Sequence, residues 1–599
     1  MLLQKKFIFE KFFKKISKIF LISLISFYSL SLLLGSGFFS DDAYQSQIHG
    51  TLIERNYSLV RHTYQEIVGW ILQGRIFPLT NLSFTIFYFL YDNLFIYKLL
   101  NITIIILCLI YFYKNLNLLF NDSNTAFITT ILVISSMQLR LWHDPVQGFH
   151  ILLPLVMLFF LLSIYYFQKF IIKKVKSYLN YSFIYFVIMI LHYEISYVLI
   201  FVYPIVFYNY HNSYKNFIKI FKKFLFFSFT IFALTFLIRI FIFFKKKAIY
   251  STLSFGSPLE IFNAFFIQFS SSAPLVYLIR IKEKLIKNFI QPLDILFLTV
   301  IFFVVYFALK KINFKKIKTN IIILFLISII LSAGPALIIS FTPHRNELLH
   351  IGYGYGYLPV FIQYFGFSLL TICIFIFILK KTQINFFSNF FLICLSIGIS
   401  IIFYLNLLTN RFVVHEANKI YKHPRILLES ALKKGMFDLI EDNAVIVRKM
   451  RFAHDWMWFH ATYTKKVFDL CEPKDLFISD RHCLSKKYYF EEYFINKNLL
   501  NNKVINLKDK NIYTYSYNFD KNGKDIGQVF LAKIESIDFK NYKEINKIEV
   551  KEFFVYQQKL DRIYRLYFPE SLDFKKIMED DNSDPVAYLL HTELNKYKY

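Results

Sequence analysis

The chain has 599 residues, 56% of them hydrophobic and 20% aromatic, with a formal net charge of +28 and a mean hydropathy of +0.43. Soluble domains rarely sustain that balance over such a length, because apolar runs of about 20 residues mark bilayer spans. The basic residues cluster between the apolar runs, as the positive-inside rule requires, so their counter-surface is anionic lipid headgroups and nucleic acid is excluded as a partner.

Lys5, Lys6, Lys11, Lys14, Lys15 and Lys18 precede an apolar run from Ile19 to Phe39. The run is too long for a signal peptide and lacks a small-x-small cleavage site. It predicts a retained span, with the basic N-terminus 1–18 cytoplasmic and Ser40 onward outside. The polar outer loop 40–75 carries Ile48, Leu52, Leu59, Ile67, Ile71 and Leu72, a pattern that predicts short amphipathic helices on the membrane surface. Pro78 opens a further apolar stretch, and spans are predicted over 95–113, 126–139 and 149–170.

Residues 179–210 are too long for one helix and are interrupted by His192-Tyr193-Glu194. Lys215, Lys219, Lys222 and Lys223 follow, which predicts two short, tilted spans with His192 and Glu194 at an outer turn. Spans near 224–244, 293–309, 320–341, 357–379 and 385–405 complete about eleven. Lys310, Lys311, Lys315, Lys316, Lys318, Lys380 and Lys381 then fall inside, and Lys245-Lys246-Lys247 is the exception, placed outside. Cys108, Cys373 and Cys394 lie within predicted spans as small apolar residues.

Residues 406–599 read as a soluble extracytoplasmic domain. Within it 426–440 has a helical pattern, 444–447, 475–478 and 527–534 read as strands, and DKNGKDIG at 520–527 is a turn signal. The expected fold class is an all-α polytopic membrane domain over 19–405 with a C-terminal extracytoplasmic α+β domain. Cys471 and Cys483 are the soluble cysteines, and an outside location lets them close a disulfide loop. No internal repeat is visible.

Asp41-Asp42 lies where the first span leaves the bilayer. The pair suits a general base, a metal ligand or both, and equally a solvated helix cap. His143-Asp144 follows the third span, and His192 with Glu194 marks the next outer turn. Asp42, His143, Asp144 and Glu194 therefore form a candidate divalent-metal set, if these outer mouths converge. Positive charge for a phosphate comes from Arg75, Arg345, Lys246 and Arg280, whose alternative is snorkelling to headgroups. Tyr353, Tyr355 and Tyr357 suit either stacking on a sugar or an interfacial aromatic belt.

A cytoplasmic N-terminus, one span, an acidic pair in the first outer loop (SDDAYQ) and a following QGRIFP segment resemble the GT-C superfamily of membrane glycosyltransferases. That superfamily includes the protein O-mannosyltransferases, aminoarabinose transferases and oligosaccharyltransferases. His143-Asp144 in the second outer loop resembles metal-binding positions in some members. The resemblance covers about residues 15–210, and the WWDYG signature of oligosaccharyltransferases is absent. It implies a polyprenyl-phosphate-linked sugar donor and a glycan, lipid or protein acceptor on the outer side of the cytoplasmic membrane. Asp41 or Asp42 would be the base, with Asp41 favoured, and Arg75 or the other outer basic residues would hold the donor phosphate. The alternatives are a transporter or flippase of lipid-linked sugars, a polysaccharide polymerase, and a noncatalytic envelope scaffold.

Overall fold

A chain segment in hydrocarbon has no polar partner for its backbone except itself, so uninterrupted runs of Ile, Leu and Phe must be helical. The structure, a computed structural model, describes residues 17–441 except 47, 50–51, 53–56, 91–92, 142, 212–216, 245–255, 282–288, 313–320 and 383–388, together with 444–448, 489–492, 511–519, 527–541, 544–566 and 572–573. Lys246, residues 475–478, the turn at 520–526, Cys471 and Cys483 lie outside the described residues.

The helices are α1 (Ser17–Gly35), α2 (Asp41–Gln45), α3 (Leu59–Leu72), α4 (Ser83–Leu90), α5 (Leu94–Phe120), α6 (Ser123–Ser136), α7 (Leu152–Lys173), α8 (Lys176–His192) and α9 (Val202–His211). There follow α10 (Phe217–Phe244), α11 (Pro258–Ser270), α12 (Val276–Ile281), α13 (Pro292–Lys310), α14 (Ile321–Ser340), α15 (His344–Ile351), α16 (Val360–Thr382), α17 (Asn389–Tyr421) and α18 (His423–Lys433). By length and composition, eight helices among the described residues can cross a membrane: α1, α5, α7, α10, α13, α14, α16, and α17 with its continuation. The difference from about eleven is local. α6 has only 14 residues, and the stretch 179–210 is divided among shorter elements.

That stretch turns back on itself. α8 stops at His192, Tyr193 is extended, and a 3-10 helix (Glu194–Phe201) leads into α9. The hydroxyl of Tyr203 donates to Ser163 Oγ at 2.5 Å, and Ser163 Oγ in turn donates to the Ser182 carbonyl at 2.7 Å. Phe186 packs edge-on against Tyr203 at 5.5 Å. Lys174 and His211 then meet at 3.3 Å, so the chain ends the excursion beside its start. The first arm, α8, has 17 residues, the second is divided between the 3-10 helix and α9, and each is held by polar contacts to α7.

At the Lys18 end of the bundle, Lys18 Nζ donates to Ser123 Oγ at 2.8 Å and Asn124 Oδ1 at 2.5 Å, and Asn124 Nδ2 donates to the Lys311 carbonyl at 3.0 Å. The N-terminal flank, the α5–α6 turn and the end of α13 thus share one face of the bundle. α14 and α16 approach backbone to backbone at Gly366. A Cβ there would lie 2.5 Å from Ser332 N and 2.7 Å from the Leu331 carbonyl carbon. A Gly to Ala change in a helix gains about 1 kcal/mol of propensity, but these neighbours are backbone and cannot swing aside. Gly366→Ala is therefore expected to destabilise the protein by about 1–3 kcal/mol, seen as a lower melting temperature in detergent.

The chain divides into two compact units, residues 1–42 with 63–416 and residues 43–62 with 417–599. The segment 43–62 belongs to the second unit, which adjacency in sequence does not suggest. Ile48, Leu52 and Leu59 are buried by protein instead of lying on a membrane surface, whereas Leu72 is exposed as expected. Ser46 Oγ accepts from Arg425 on α18 at 2.8 Å.

The helical pattern at 426–440 is realised as α18 and a short 3-10 helix (Met436–Leu439). The second unit's sheet runs in the order β2-β1-β3-β4-β5-β6, with β1 (Val445–Arg448), β2 (Tyr489–Glu492), β3 (Ile512–Phe519), β4 (Gly527–Asn541), β5 (Glu544–Gln557) and β6 (Arg562–Leu566); β7 (Leu572–Asp573) pairs with β5. Its centre is the antiparallel β3-β4-β5 meander, in which Ile512 faces Ile534 and Phe530 faces Val555.

Candidate functional site at the end opposite Lys18

The first polar residues after α1 form a sharp turn. Ser40 takes a left-handed backbone (φ 50°), and the Asp42 amide donates to the Phe39 carbonyl at 3.0 Å. Gly148 sits against this turn, where a Cβ would come within 2.9 Å of the Phe39 carbonyl oxygen. The missing side chain lets the loop between α6 and α7 press onto the acidic pair.

The two aspartates have different surroundings. Asp42 is fully buried and accepts from the Tyr97 hydroxyl at 2.6 Å. The buried Lys98 interacts electrostatically with Asp42 and Asp144, and its Nζ donates to the Gln147 carbonyl at 3.1 Å. Asp41 is exposed and acts electrostatically on Tyr193 and Tyr357.

Asp144 serves its own loop. One carboxylate oxygen accepts from the amides of Val146 and Gln147 at 2.8 and 2.7 Å, and the other accepts from the Arg140 amide at 2.6 Å. Burial pushes its carboxyl up to about 6, against the pull of these amides and of the Arg140 charge. Arg140 is itself fully buried, donating to Tyr364 Oη and the Ser271 carbonyl, each at 2.6 Å.

His143 reaches the opposite wall. Its Nε2 lies 3.2 Å from Glu347 on α15, and His344 Nδ1 contacts the same carboxylate at 3.0 Å. Hydrogen bonds from the two imidazoles hold the Glu347 carboxyl well below the usual carboxylate range. Tyr357 packs against both rings, 4.7 Å from His143 and 4.6 Å from His344. Gln268 fixes the Tyr357 backbone, accepting from its amide at 2.7 Å and donating to its carbonyl at 3.2 Å. Asp41, Arg75, Tyr193 and Glu347 all act electrostatically on Tyr357, so four chain segments distant in sequence come together here.

Glu194 begins the 3-10 helix after the chain reversal, where its carboxylate accepts from two arginines. Arg75 Nε is 3.2 Å away, and a terminal nitrogen of Arg239 is 3.3 Å away. Arg239 Nε also donates to the Gly74 carbonyl at 2.9 Å. The Arg75 guanidinium lies over Phe77 at 4.5 Å, Trp70 at 5.3 Å and Tyr193 at 5.7 Å. These groups open onto a cavity of about 430 Å³ lined by Arg75, Tyr193, Glu194, Arg239, His344 and Glu347, with apolar residues at the end of α14.

Other residues singled out in the sequence lie elsewhere. Arg345 is buried and directed to Glu260, with Nε 3.9 Å from its carboxylate. Arg280 is exposed and packs over Tyr355 at 5.4 Å. His192 packs on Phe159 at 5.4 Å, with Nδ1 3.2 Å from the Ile188 carbonyl. Asp42, His143, Asp144 and Glu194 do not make one coordination shell. Their polar atoms are directed respectively to a tyrosine, a glutamate, three amides and two arginines, and no metal-binding group of three such residues occurs among the described residues. This donor set does not fit a divalent cation, because Glu194 and Asp144 would have to abandon positively polarised partners to bind one.

Arg239 was the functional candidate that local sequence reading missed. Its signal was a single charge inside an apolar run, which in a membrane span marks a site by default. No protein-family model matches this chain, and no curated protein matches it.

Proposed function

We propose that the protein is an integral-membrane glycosyltransferase that moves a sugar from a polyprenyl-phosphate-linked donor to an envelope acceptor (glycan, lipid or protein) outside the cytoplasmic membrane. The reading is carried by one observation, the Arg75–Glu194–Arg239 cluster in a cavity at the end of the bundle where Asp41 is also exposed. A lipid-phosphate leaving group needs fixed positive charge at the membrane boundary, and an acceptor hydroxyl needs a carboxylate within reach. The cavity is of a size suited to a sugar and its phosphate.

In this reading Lys18 is cytoplasmic, the cavity and the C-terminal unit are outside, and the short α6 and the α8–α9 excursion complete about eleven crossings. Asp41 takes the proton of the acceptor hydroxyl, whose oxygen attacks the anomeric carbon. The bond from that carbon to the phosphate oxygen breaks with inversion, and the departing phosphate keeps the electron pair opposite Arg75 and Arg239. Asp42, held by Tyr97 and Lys98, fixes the turn that presents Asp41. No step passes through a metal ion.

A flippase would need polar or charged residues near the bilayer midplane and an internal repeat, and no repeat is visible in the sequence. Among the polar residues between helices, Asn115, Gln168 and Tyr210 are paired with one another: Gln168 Nε2 donates to Asn115 Oδ1 at 2.8 Å, and Tyr210 Oη donates to Gln168 Oε1 at 2.9 Å.

The test is sugar transfer by the purified protein from polyprenyl-phosphate-linked sugars to envelope acceptors. Arg75→Ala and Arg239→Ala are each expected to lower the rate at least about tenfold, because each removes a charge-assisted donor from the leaving phosphate. A wild type that transfers no sugar but moves lipid-linked sugar across vesicles would establish the flippase instead.

A further inference from the structure

We infer that the flank formed by α5, α7 and α8 at the Lys18 end of the bundle binds an anionic phospholipid, whose phosphodiester is held by tyrosine hydroxyls and lysine ammonium groups. The site is separate from the cavity of Arg75 and Arg239 and stands whether or not the protein transfers a sugar. Six tyrosines from three helices form a continuous platform there. Tyr166 on α7 is at its centre, with ring centroids 5.5 Å from Tyr165, 5.4 Å from Tyr181, 5.7 Å from Tyr185 and 6.1 Å from Tyr178. Tyr111 on α5 joins edge-on to Tyr165 at 5.6 Å. The phenols of Tyr111, Tyr165, Tyr181 and Tyr185 all act electrostatically on Tyr166, so the hydroxyls converge as well as the rings. All six side chains remain at least partly exposed and can donate outward.

Three ammonium groups rim the platform. Lys114 Nζ lies 4.4 Å from the centre of the Tyr111 ring and 6.0 Å from that of Tyr165, Lys169 Nζ lies 5.4 Å from Tyr165, and Lys173 Nζ lies 5.9 Å from Tyr178. α5 and α7 both run toward the Lys18 end, so a snorkelling lysine would extend toward the last turn of its helix. Lys114 and Lys169 are instead held over rings one turn earlier in their own helices. A ring face fixes an ammonium without neutralising it. α5, α7 and α8 contain no Asp or Glu, so these helices supply no counter-charge of their own. A phosphodiester supplies it, and its oxygens accept from ammonium and phenol alike. An interfacial aromatic belt is the other use of tyrosine at a membrane boundary, but a belt encircles the bundle. The corresponding three turns of α1, α10, α14, α16 and α17 contain no tyrosine. Away from the Lys18 end, exposed Ile184 and Phe159, which stacks on Tyr185 at 6.3 Å, continue the surface as a track for acyl chains.

The experiment titrates the full-length protein in detergent with phosphatidylglycerol and with phosphatidylethanolamine of identical acyl chains, at one fixed salt concentration, and counts bound lipid by native mass spectrometry. The wild type is expected to bind its first phosphatidylglycerol about tenfold more tightly than its first phosphatidylethanolamine. Lys114→Gln combined with Lys169→Gln is expected to remove most of that preference. Lys219→Gln combined with Lys222→Gln takes the same charge from the exposed start of α10 and is expected to leave the preference unchanged. Melting curves in the same detergent show whether each variant keeps its fold. If the first double variant does not, Lys169→Gln alone is expected to lower the preference about threefold.

Equal binding of the two lipids by the wild type would overturn the inference. So would an unchanged preference in the folded Lys114 and Lys169 variants. An equal loss in the two double variants would also overturn it, because the attraction would then belong to a diffusely basic membrane face and not to this flank.

Discussion

Asp41→Asn is expected to stop sugar transfer without weakening the fold, whereas Asp42→Asn weakens the fold and lowers transfer only in part. The carboxylates are adjacent in sequence but differ in environment. Asp41 is exposed on the first turn of α2 and acts electrostatically on Tyr193 and Tyr357. Removing a general base costs about 10²–10⁴-fold in rate, while a surface substitution of this size changes stability by about 0.5 kcal/mol or less. Asp42 is fully buried, accepts from Tyr97 Oη and interacts electrostatically with the buried Lys98. An asparagine there keeps an acceptor for Tyr97 but removes the negative charge nearest a buried lysine, at a cost of about 1–3 kcal/mol. Transfer rates and melting curves measured on the same preparations separate the two effects. A fully active Asp41→Asn beside an inactive but equally stable Asp42→Asn would move the base to Asp42, and normal transfer by both would remove the pair from the chemistry altogether.

The membrane part of the fold was legible because a span needs only composition and length, which single residues rarely disturb. The reversal at His192-Tyr193-Glu194 was legible for the same reason in negative, since three polar residues cannot sit inside a comfortable span. The approach of distant outer loops could be expected from topology, but the partners within the site could not. Glu194 and Arg239 are 45 residues apart and Arg75 and Glu194 are 119 apart, and no local periodicity connects such positions. Asp144 looked like a metal ligand because only its type was visible; its use as an acceptor for three nearby amides depends on backbone angles that the sequence does not display. In the second unit, β4 was partly legible from GQVFLAKI. β5 was missed, and its pairing with β4 shifts register repeatedly between Lys533 and Asn541, which breaks the two-residue alternation that identifies a strand.

Arg411→Ala is expected to destabilise the protein by about 3–5 kcal/mol. Arg411 on α17 grips Asp294 on α13 through two parallel bonds, at 2.6 and 2.7 Å. It also donates to the Phe289 carbonyl at 2.8 Å. The Asp294 side chain is fully buried, and Tyr28 on α1 donates to it at 2.6 Å while stacking on Phe297 at 3.5 Å. Three spans that are far apart in sequence are therefore joined by one carboxylate. An exposed ion pair would contribute about 0–1 kcal/mol, but here truncation leaves a buried carboxylate with Tyr28 and the Gln291 amide as its remaining donors among the described residues.

The same physics predicts an asymmetry. Arg411→Met combined with Asp294→Leu removes both charges together, so the pair should recover most of the stability lost in Arg411→Ala, since no uncompensated charge remains. Thermal unfolding of the single and double variants in one detergent measures both quantities. A single variant that melts with the wild type would show that α1, α13 and α17 are held by apolar packing alone. If the double variant is no more stable than the single one, the bidentate geometry itself, and not relief of a buried charge, is what these spans require.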